Sequence, residues 1–397
     1  MSSIDFVEPY FYSTVYYIFF LVVCWSTFLY HVGSNTQKIL YAESSPIQSA
    51  AVIITVIVTL FLGLRPVSGS FVDTVMYSYN YERIVPIYQP ITFKTEWLWT
   101  NFTIFCKRFG LNIHEYFLAI EACYIGGMFV FAWKKMRKNL WLMMLFFLVA
   151  FQAYSFGTNG IRNGMACSVM LMALAFLADA EESKSSKYFA FLLMIMAFGI
   201  HRSTMLPITA ALASYYFMKD TKWAIRFWLV SIVISLVAGT MVEQFFVSLG
   251  FDDRMANYSS VNMTEDVAQH FSGTGFRPDF LFYSSFPVIM TWYVTRYRHF
   301  TDRAYLMIAN TYMLCNAFWI MVIRSAFSNR FAYLSWFLYP VVIAYPLLRM
   351  NLWKDQDRRT ALIFFFFTGF TLAMFFIYYY GTLNGYRGFD IYWWKRI

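Results

Sequence analysis

Long apolar runs separated by short charged connections set the pattern of this chain. They fall at about 11–30, 48–64, 115–133, 140–156, 160–180, 188–200, 205–218, 223–249, 279–297, 304–323, 331–348 and 361–380. Most exceed the roughly 10 residues of a barrel strand and approach the ~20 residues that carry a helix across a bilayer. Only helices and closed barrels satisfy their backbone groups in lipid. The pattern therefore predicts an all-α, polytopic membrane protein of roughly twelve spanning helices, counted by the 20-residue rule. The runs at 188–200 and 205–218 are too short to span comfortably.

Composition agrees. Of 397 residues, 59% are hydrophobic, 22% aromatic and only 13% charged, against about a quarter charged in a soluble domain. One transmembrane domain over 1–397 is expected, with no cleavable signal, because the run at 11–30 is too long for a signal core and no basic residue precedes it. Cys24, Cys123, Cys167 and Cys315 lie in apolar runs and read as small apolar residues. Cys106 is alone in a polar segment, so no structural disulfide and no metal-type cysteine spacing are expected.

The net charge of +9 reads as orientation, not as nucleic-acid binding. Basic residues cluster at Lys134–Lys138, at Lys184 and Lys187, at Lys219, Lys222 and Arg226, at Arg296, Arg298 and Arg303, and from Arg349 to Arg359. With two short helices over 188–218, all these clusters fall on one side, which the positive-inside rule makes cytoplasmic. The other side then holds the N-terminus with Asp5 and Glu8, a first outer loop at 65–114, a second at 250–278, and the C-terminal tail. Loops of that length in a compact protein usually carry function. No internal repeat is evident, which argues against a transporter built from inverted halves.

Arg65, Asp73, Glu96, Arg162, His201, Arg324 and Arg330 all fall toward the outer face. At 1.5 Å per residue, the four arginines lie about 26–32 Å from the inner ends of their helices, near the outer boundary of the hydrocarbon core. His201 lies about 20 Å above Lys187, below that boundary. Pro207 is expected to disturb the helix that follows. Polar groups at such depth are costly and usually mark a site. Arginine holds phosphate oxygens with a planar fork and stays charged, although any one of these arginines is equally explained by snorkelling to the interface. Arg162 stands out because Gly160 and Gly164 flank it and admit close approach. Asp73 or Glu96 is a candidate general base, or else a solvated acid or an ion-pair partner of Arg65 or Arg83. His201 reads as a base, a phosphate ligand or a hydrogen-bonded core residue. Asp252–Asp253 is a weak divalent-cation signal. Tyr77, Tyr79, Tyr81, Trp97 and Trp99 suit either the membrane interface or stacking on sugars.

These residues carry a resemblance. Gly63–Leu64–Arg65 ends a helix, followed by Gly69, Asp73, Tyr77 and Glu96. Gly160–Ile161–Arg162–Asn163–Gly164 opens another, with Asn163 where the pattern usually has Gln. His201–Arg202–Ser203 follows a short helix, and Arg330 with Tyr333 comes late. In this order the set resembles the EpsG family of Wzy-type polysaccharide polymerases. The resemblance implies an enzyme of the bacterial inner membrane. It would join oligosaccharide repeat units carried on undecaprenyl pyrophosphate at the outer leaflet, making exopolysaccharide, capsule or O-antigen. It implies a lipid-linked donor and acceptor, membrane lipid and a chain-length regulator as partners; no cofactor is expected, and pre-placed arginines would make a metal unnecessary. Arg162 and Arg330, with Arg65 and Arg324, would hold pyrophosphate; Asp73, Glu96 or His201 would be the base. Rival readings are a glycosyltransferase using a polyprenyl-phosphate sugar, a non-enzymatic flippase of lipid-linked oligosaccharide, and a ligase or acyltransferase.

Overall fold

The computed structural model describes residues 3, 7–33, 45–88, 90–248, 276–324, 329–350, 352–353 and 356–386. Those residues form helices and turns, with no strand. The second outer loop at 250–278 falls almost entirely outside the described residues, and with it Asp252–Asp253. Among the described residues, six helices are long and apolar enough to cross a membrane, or seven if one sharply bent pair counts as a span. The chain is thus an α-helical membrane protein. It divides into two compact units.

The first unit comprises residues 1–175, 190–202 and 347–397. Its long helices are α1 (Tyr12–Gly33), α2 (Ser45–Gly63) and, beyond the segment treated below, a helix over Ile113–Lys135. The expected single span at 140–156 is instead two helices, Leu140–Val149 and Phe151–Thr158, bent by 67°. No proline or glycine causes the break. Ala150 adopts an extended conformation between the helices (φ −60°, ψ 148°). Tyrosine hydroxyls take carbonyls beside it: Tyr16 donates to Leu148 O at 2.7 Å and Tyr124 to Ala153 O at 3.2 Å. Irregular backbone at membrane depth is tolerated where protein groups satisfy it in this way.

The segment expected as a first outer loop is folded. It holds α3 (Thr74–Tyr79), a wide helical turn at Asn80–Ile84, and α4 (Trp97–Arg108). Its own polar side chains clamp it. Lys107 Nζ donates to the carbonyls of Tyr81 at 2.7 Å and Val85 at 2.5 Å. Asn101 exchanges two hydrogen bonds with the Thr92 backbone, at 2.8 and 3.1 Å. In chain order the helices that follow are α5 (Ile113–Lys135), α6 (Leu140–Val149), α7 (Phe151–Thr158), α8 (Ile161–Leu177), α9 (Lys184–Ile200) and α10 (Met205–Phe217). Pro207 does not disturb α10. It lies in the first turn, where a missing N–H breaks no helical bond.

The second unit comprises residues 176–189 and 203–346. It contains α10, α11 (Lys222–Ser248), α12 (Pro278–Arg296), α13 (Arg303–Met321) and α14 (Asn329–Trp336), and runs into α15 (Tyr339–Arg349). The apolar run at 331–348 is interrupted at Phe337–Leu338, between α14 and α15. A buried polar node joins four of these helices. The Asn316 side chain accepts from Trp228 Nε1 at 2.8 Å and donates to Ser335 Oγ at 2.9 Å and Ser284 Oγ at 3.2 Å. Trp336 Nε1 donates to the same Ser284 at 2.8 Å. In lipid such hydrogen bonds between helices add to packing, because apolar contact alone gives little driving force there. The last helix, α16 (Gln356–Tyr386), returns to the first unit and packs along α1.

Candidate functional site

Within the first unit, three of the seven residues singled out in the sequence come together. Glu96 Oε2 accepts from Arg162 Nη1 at 2.5 Å, and Glu96 Oε1 lies 2.6 Å from His201 Nδ1. All three side chains are mostly enclosed, with 16–17% of their surface open to solvent. They are separated by 66 and 105 residues in sequence, measured from Glu96.

Local structure explains each placement. Glu96 is the residue just before α4, and its backbone is left-handed (φ 55°, ψ 41°). A non-glycine residue in that region is strained by about 1–3 kcal/mol, and such strain tends to collect at functional sites. Arg162 is the second residue of α8, delivered there by the tight turn after the bent α6–α7 pair. Gly164 permits that turn: a Cβ at this position would lie 2.9 Å from Phe156 Cβ. The flanking glycines thus serve the α7–α8 packing. His201 follows the last turn of α9, its N–H bonded to Ala197 O at 3.0 Å. Gly199, two residues earlier, lets α9 meet the start of α4. A Cβ there would sit 2.8 Å from the Trp97 ring and 3.0 Å from Leu98 Cβ. Gly199 therefore sets the distance between His201 and Glu96, a role that one glycine in an apolar run does not announce.

The electrostatics of the cluster are directional. Burial pushes the Glu96 carboxyl up, but the His201 hydrogen bond, the Arg162 charge and the backbone N–H of Arg202 outweigh it and hold it below the usual carboxylate range. Glu96 is therefore ionised at neutral pH and a weak proton acceptor. An ionised Glu96 makes the 2.6 Å contact a hydrogen bond with Nδ1 donating, which leaves proton exchange at the ring to Nε2. Arg162 Nη1 is committed to Glu96, while Arg162 Nε is buried without a hydrogen-bond partner. Nε and Nη2 form one edge of the guanidinium, the edge that binds a phosphate or carboxylate side-on.

The other candidates have different partners. Arg65 is fully enclosed, paired with Glu121 at 3.5 Å, donating to Leu62 O at 2.6 Å and lying 4.5 Å over the Phe117 ring. Its environment is that of a buried structural pair, and Glu121 lies inside an apolar run, where no local pattern in the sequence marks it. Asp73 is half-buried; its N–H bonds Asn159 Oδ1 at 3.4 Å, beside a bond from Thr74 Oγ1 to Thr158 O at 2.9 Å. Its side chain forms no ion pair with Arg65 or Arg83. Arg324 belongs to the second unit, where α11 kinks at Ala238 and Arg324 Nε bonds Ser235 O at 3.4 Å. Arg330 is the second residue of α14, and its side chain lies outside the described residues. Asn163 accepts from the Cys167 thiol at 3.4 Å. Among the aromatics, Tyr81 is buried against Tyr116 with ring centroids 4.3 Å apart. Tyr79 is 56% exposed. Among the described residues no three of His, Cys, Asp and Glu are placed to hold a metal ion.

An α-helical membrane body with an enclosed Glu–His–Arg cluster, built on helix ends and a folded inter-helix segment, defines a polytopic membrane protein with a polar site. The chain matches the EpsG family over residues 50–389, and it belongs to that family. Membership places it among the membrane proteins of polysaccharide biosynthesis. No curated protein and no solved structure matches it.

Proposed function

We propose that this protein is the polymerase that joins lipid-linked oligosaccharide repeat units at the outer leaflet of the bacterial inner membrane. The observation that carries the reading is the Arg162–Glu96–His201 cluster. In this reading a hydroxyl of the acceptor unit attacks the anomeric carbon of the donor chain. His201 Nε2 takes the hydroxyl proton as the bond to the pyrophosphate oxygen breaks, and undecaprenyl pyrophosphate leaves. Glu96 orients the imidazole and stabilises the imidazolium. Arg162 offers its Nε/Nη2 edge to the leaving pyrophosphate, whose developing charge it offsets. Of the three candidate bases, His201 takes the role, as a neutral imidazole, because Glu96 is already held ionised by the Arg162 guanidinium and the hydrogen bond from His201 Nδ1.

The proposed topology keeps the twelve-span reading, with 65–114 outside and the basic connections in the cytoplasm. Arg324 and Arg330 remain candidates for further phosphate contacts. Deletion of the gene in its host, followed by analysis of lipid-linked and surface glycans, tests the reading. Loss of long polymer with a complete single repeat unit left at the outer face is the expected result. A repeat unit short by one sugar would mean a single-sugar transferase, and complete units trapped on the inner face would mean a flippase.

A further inference from the structure

The second unit holds a cavity of about 700 Å³ at one end of its helices. It lies where α10 ends, α11 begins, α12 ends and α13 begins. Lys219, Lys222, Arg226, Arg296 and Arg303 line it, against two carboxylates, Glu181 and Asp220. Both carboxylates are already used: Glu181 pairs with Arg303, and Asp220 pairs with Lys222 at 3.4 Å. Lys219, Arg226 and Arg296 have no carboxylate partner among the described residues, so the cavity carries an excess of three positive charges.

Orientation alone explains basic residues at helix ends. It does not explain a cavity behind them of a size that takes a ligand. The lining also includes Ile225, Phe300, Leu306 and Met307, apolar and aromatic side chains that are less exposed than the cations. Trp292 lines the same cavity and is 44% exposed on its helix. A charged mouth over an apolar interior fits a molecule with an anionic head and a hydrocarbon body. A free phosphate would satisfy the mouth and leave the interior unfilled.

We propose that this cavity binds the phosphate headgroup of an anionic membrane phospholipid. The lipid comes from the leaflet that the basic connections face, the cytoplasmic one in the topology above. Lys219, Arg226 and Arg296 contact the phosphate, and the apolar wall takes the start of the acyl chains. The cavity shares no lining residue with the Glu96 cluster, and its test reads lipid binding, so its failure and that of the polymerase reading are distinguishable.

The experiment is native mass spectrometry of the full-length detergent-solubilised protein titrated with phosphatidylglycerol or phosphatidylcholine. The wild type is expected to hold phosphatidylglycerol in preference. Arg226→Gln/Arg296→Gln should weaken that binding by about thirtyfold, about fivefold for each cation removed near the headgroup plane. Arg226→Lys/Arg296→Lys should keep most of it, and Lys134→Gln/Arg137→Gln, in another basic connection, should leave it unchanged. Equal loss in the Lys134/Arg137 variant would reduce the effect to general surface charge and overturn the site. So would unchanged binding in the Arg226/Arg296 variant whose melting temperature matches wild type. Displacement of phosphatidylglycerol by equimolar inorganic phosphate would overturn the lipid assignment.

Discussion

Glu96 presents one carboxylate oxygen to His201 Nδ1 at 2.6 Å and the other to Arg162 Nη1 at 2.5 Å. The acid is thereby a bridge between an imidazole and a guanidinium, which is a different task from taking a proton from substrate. Glu96→Gln keeps the shape but loses the charge that fixes the imidazole. Polymerisation rate should fall by about 10²-fold or more, since general-base catalysis contributes about 10²–10⁴-fold. A reconstituted rate assay on the purified protein checks this.

The same bridge gives stability a sign with pH. The folded state holds the Glu96 carboxyl below its ordinary value of 4.5. A lowered folded value means the contribution to stability is complete above about pH 4.5 and is lost as pH falls through the lower folded value. Melting curves in detergent should therefore show wild type and Glu96→Gln diverging above that range and converging below it. A gap between the two that stays constant from pH 6 to pH 3 would contradict the assignment.

Arg162 is expected to tolerate no replacement. Arg162→Ala should lower the rate by about 10²–10³-fold, the range for losing one donor to developing charge. Arg162→Lys should recover little, because a lysine ammonium cannot bond Glu96 and present a planar edge to pyrophosphate together. Full activity in Arg162→Lys would remove the side-on phosphate contact from the mechanism.

Gly199 tests whether the spacing between α9 and α4 matters. The added methyl of Gly199→Ala meets the Trp97 ring and Leu98 and must move the start of α4, where Glu96 sits. Overpacking of this kind costs about 1–3 kcal/mol, and a displacement near 1 Å can cost about 10² in rate. The variant should insert and melt within a few degrees of wild type yet polymerise about tenfold or more slowly.

Arg65 and Glu121 make a separate prediction about folding. Removing one member of a buried pair leaves an uncompensated charge and costs about 3–5 kcal/mol, whereas replacing both with apolar residues is often neutral. Glu121→Leu alone should lower the melting temperature sharply, and Arg65→Met/Glu121→Leu should recover much of the loss. If both variants melt alike, the pair has no mutual role.

Much of this fold is legible in the sequence, because helical membrane segments declare themselves by length and hydropathy. Each apolar run becomes mostly helix, with breaks at Ala150 and at Phe337–Leu338, and the polar residues at 96, 162 and 201 come together. What stays hidden has physical reasons. The break at Ala150 carries no proline or glycine, and its carbonyls are satisfied by tyrosines from distant helices. The 65–114 segment folds through side chain to backbone clamps, such as Lys107 and Asn101, that have no periodicity. Glu121 and Gly199 act through partners far away in sequence. Conversely, depth along a helix cannot separate Arg65, fully enclosed beside Glu121, from Arg162, whose side chain keeps 17% of its surface open to solvent.

The most direct test of the account is reconstitution of the purified protein in proteoliposomes with an undecaprenyl-pyrophosphate-linked repeat unit as sole substrate. The wild type should produce a ladder of lengthening chains and release undecaprenyl pyrophosphate. His201→Ala, correctly inserted, should bind the substrate and produce no ladder. A ladder from His201→Ala at the wild-type rate would contradict the catalytic role given to this cluster, and no ladder from an intact wild type would contradict the polymerase itself.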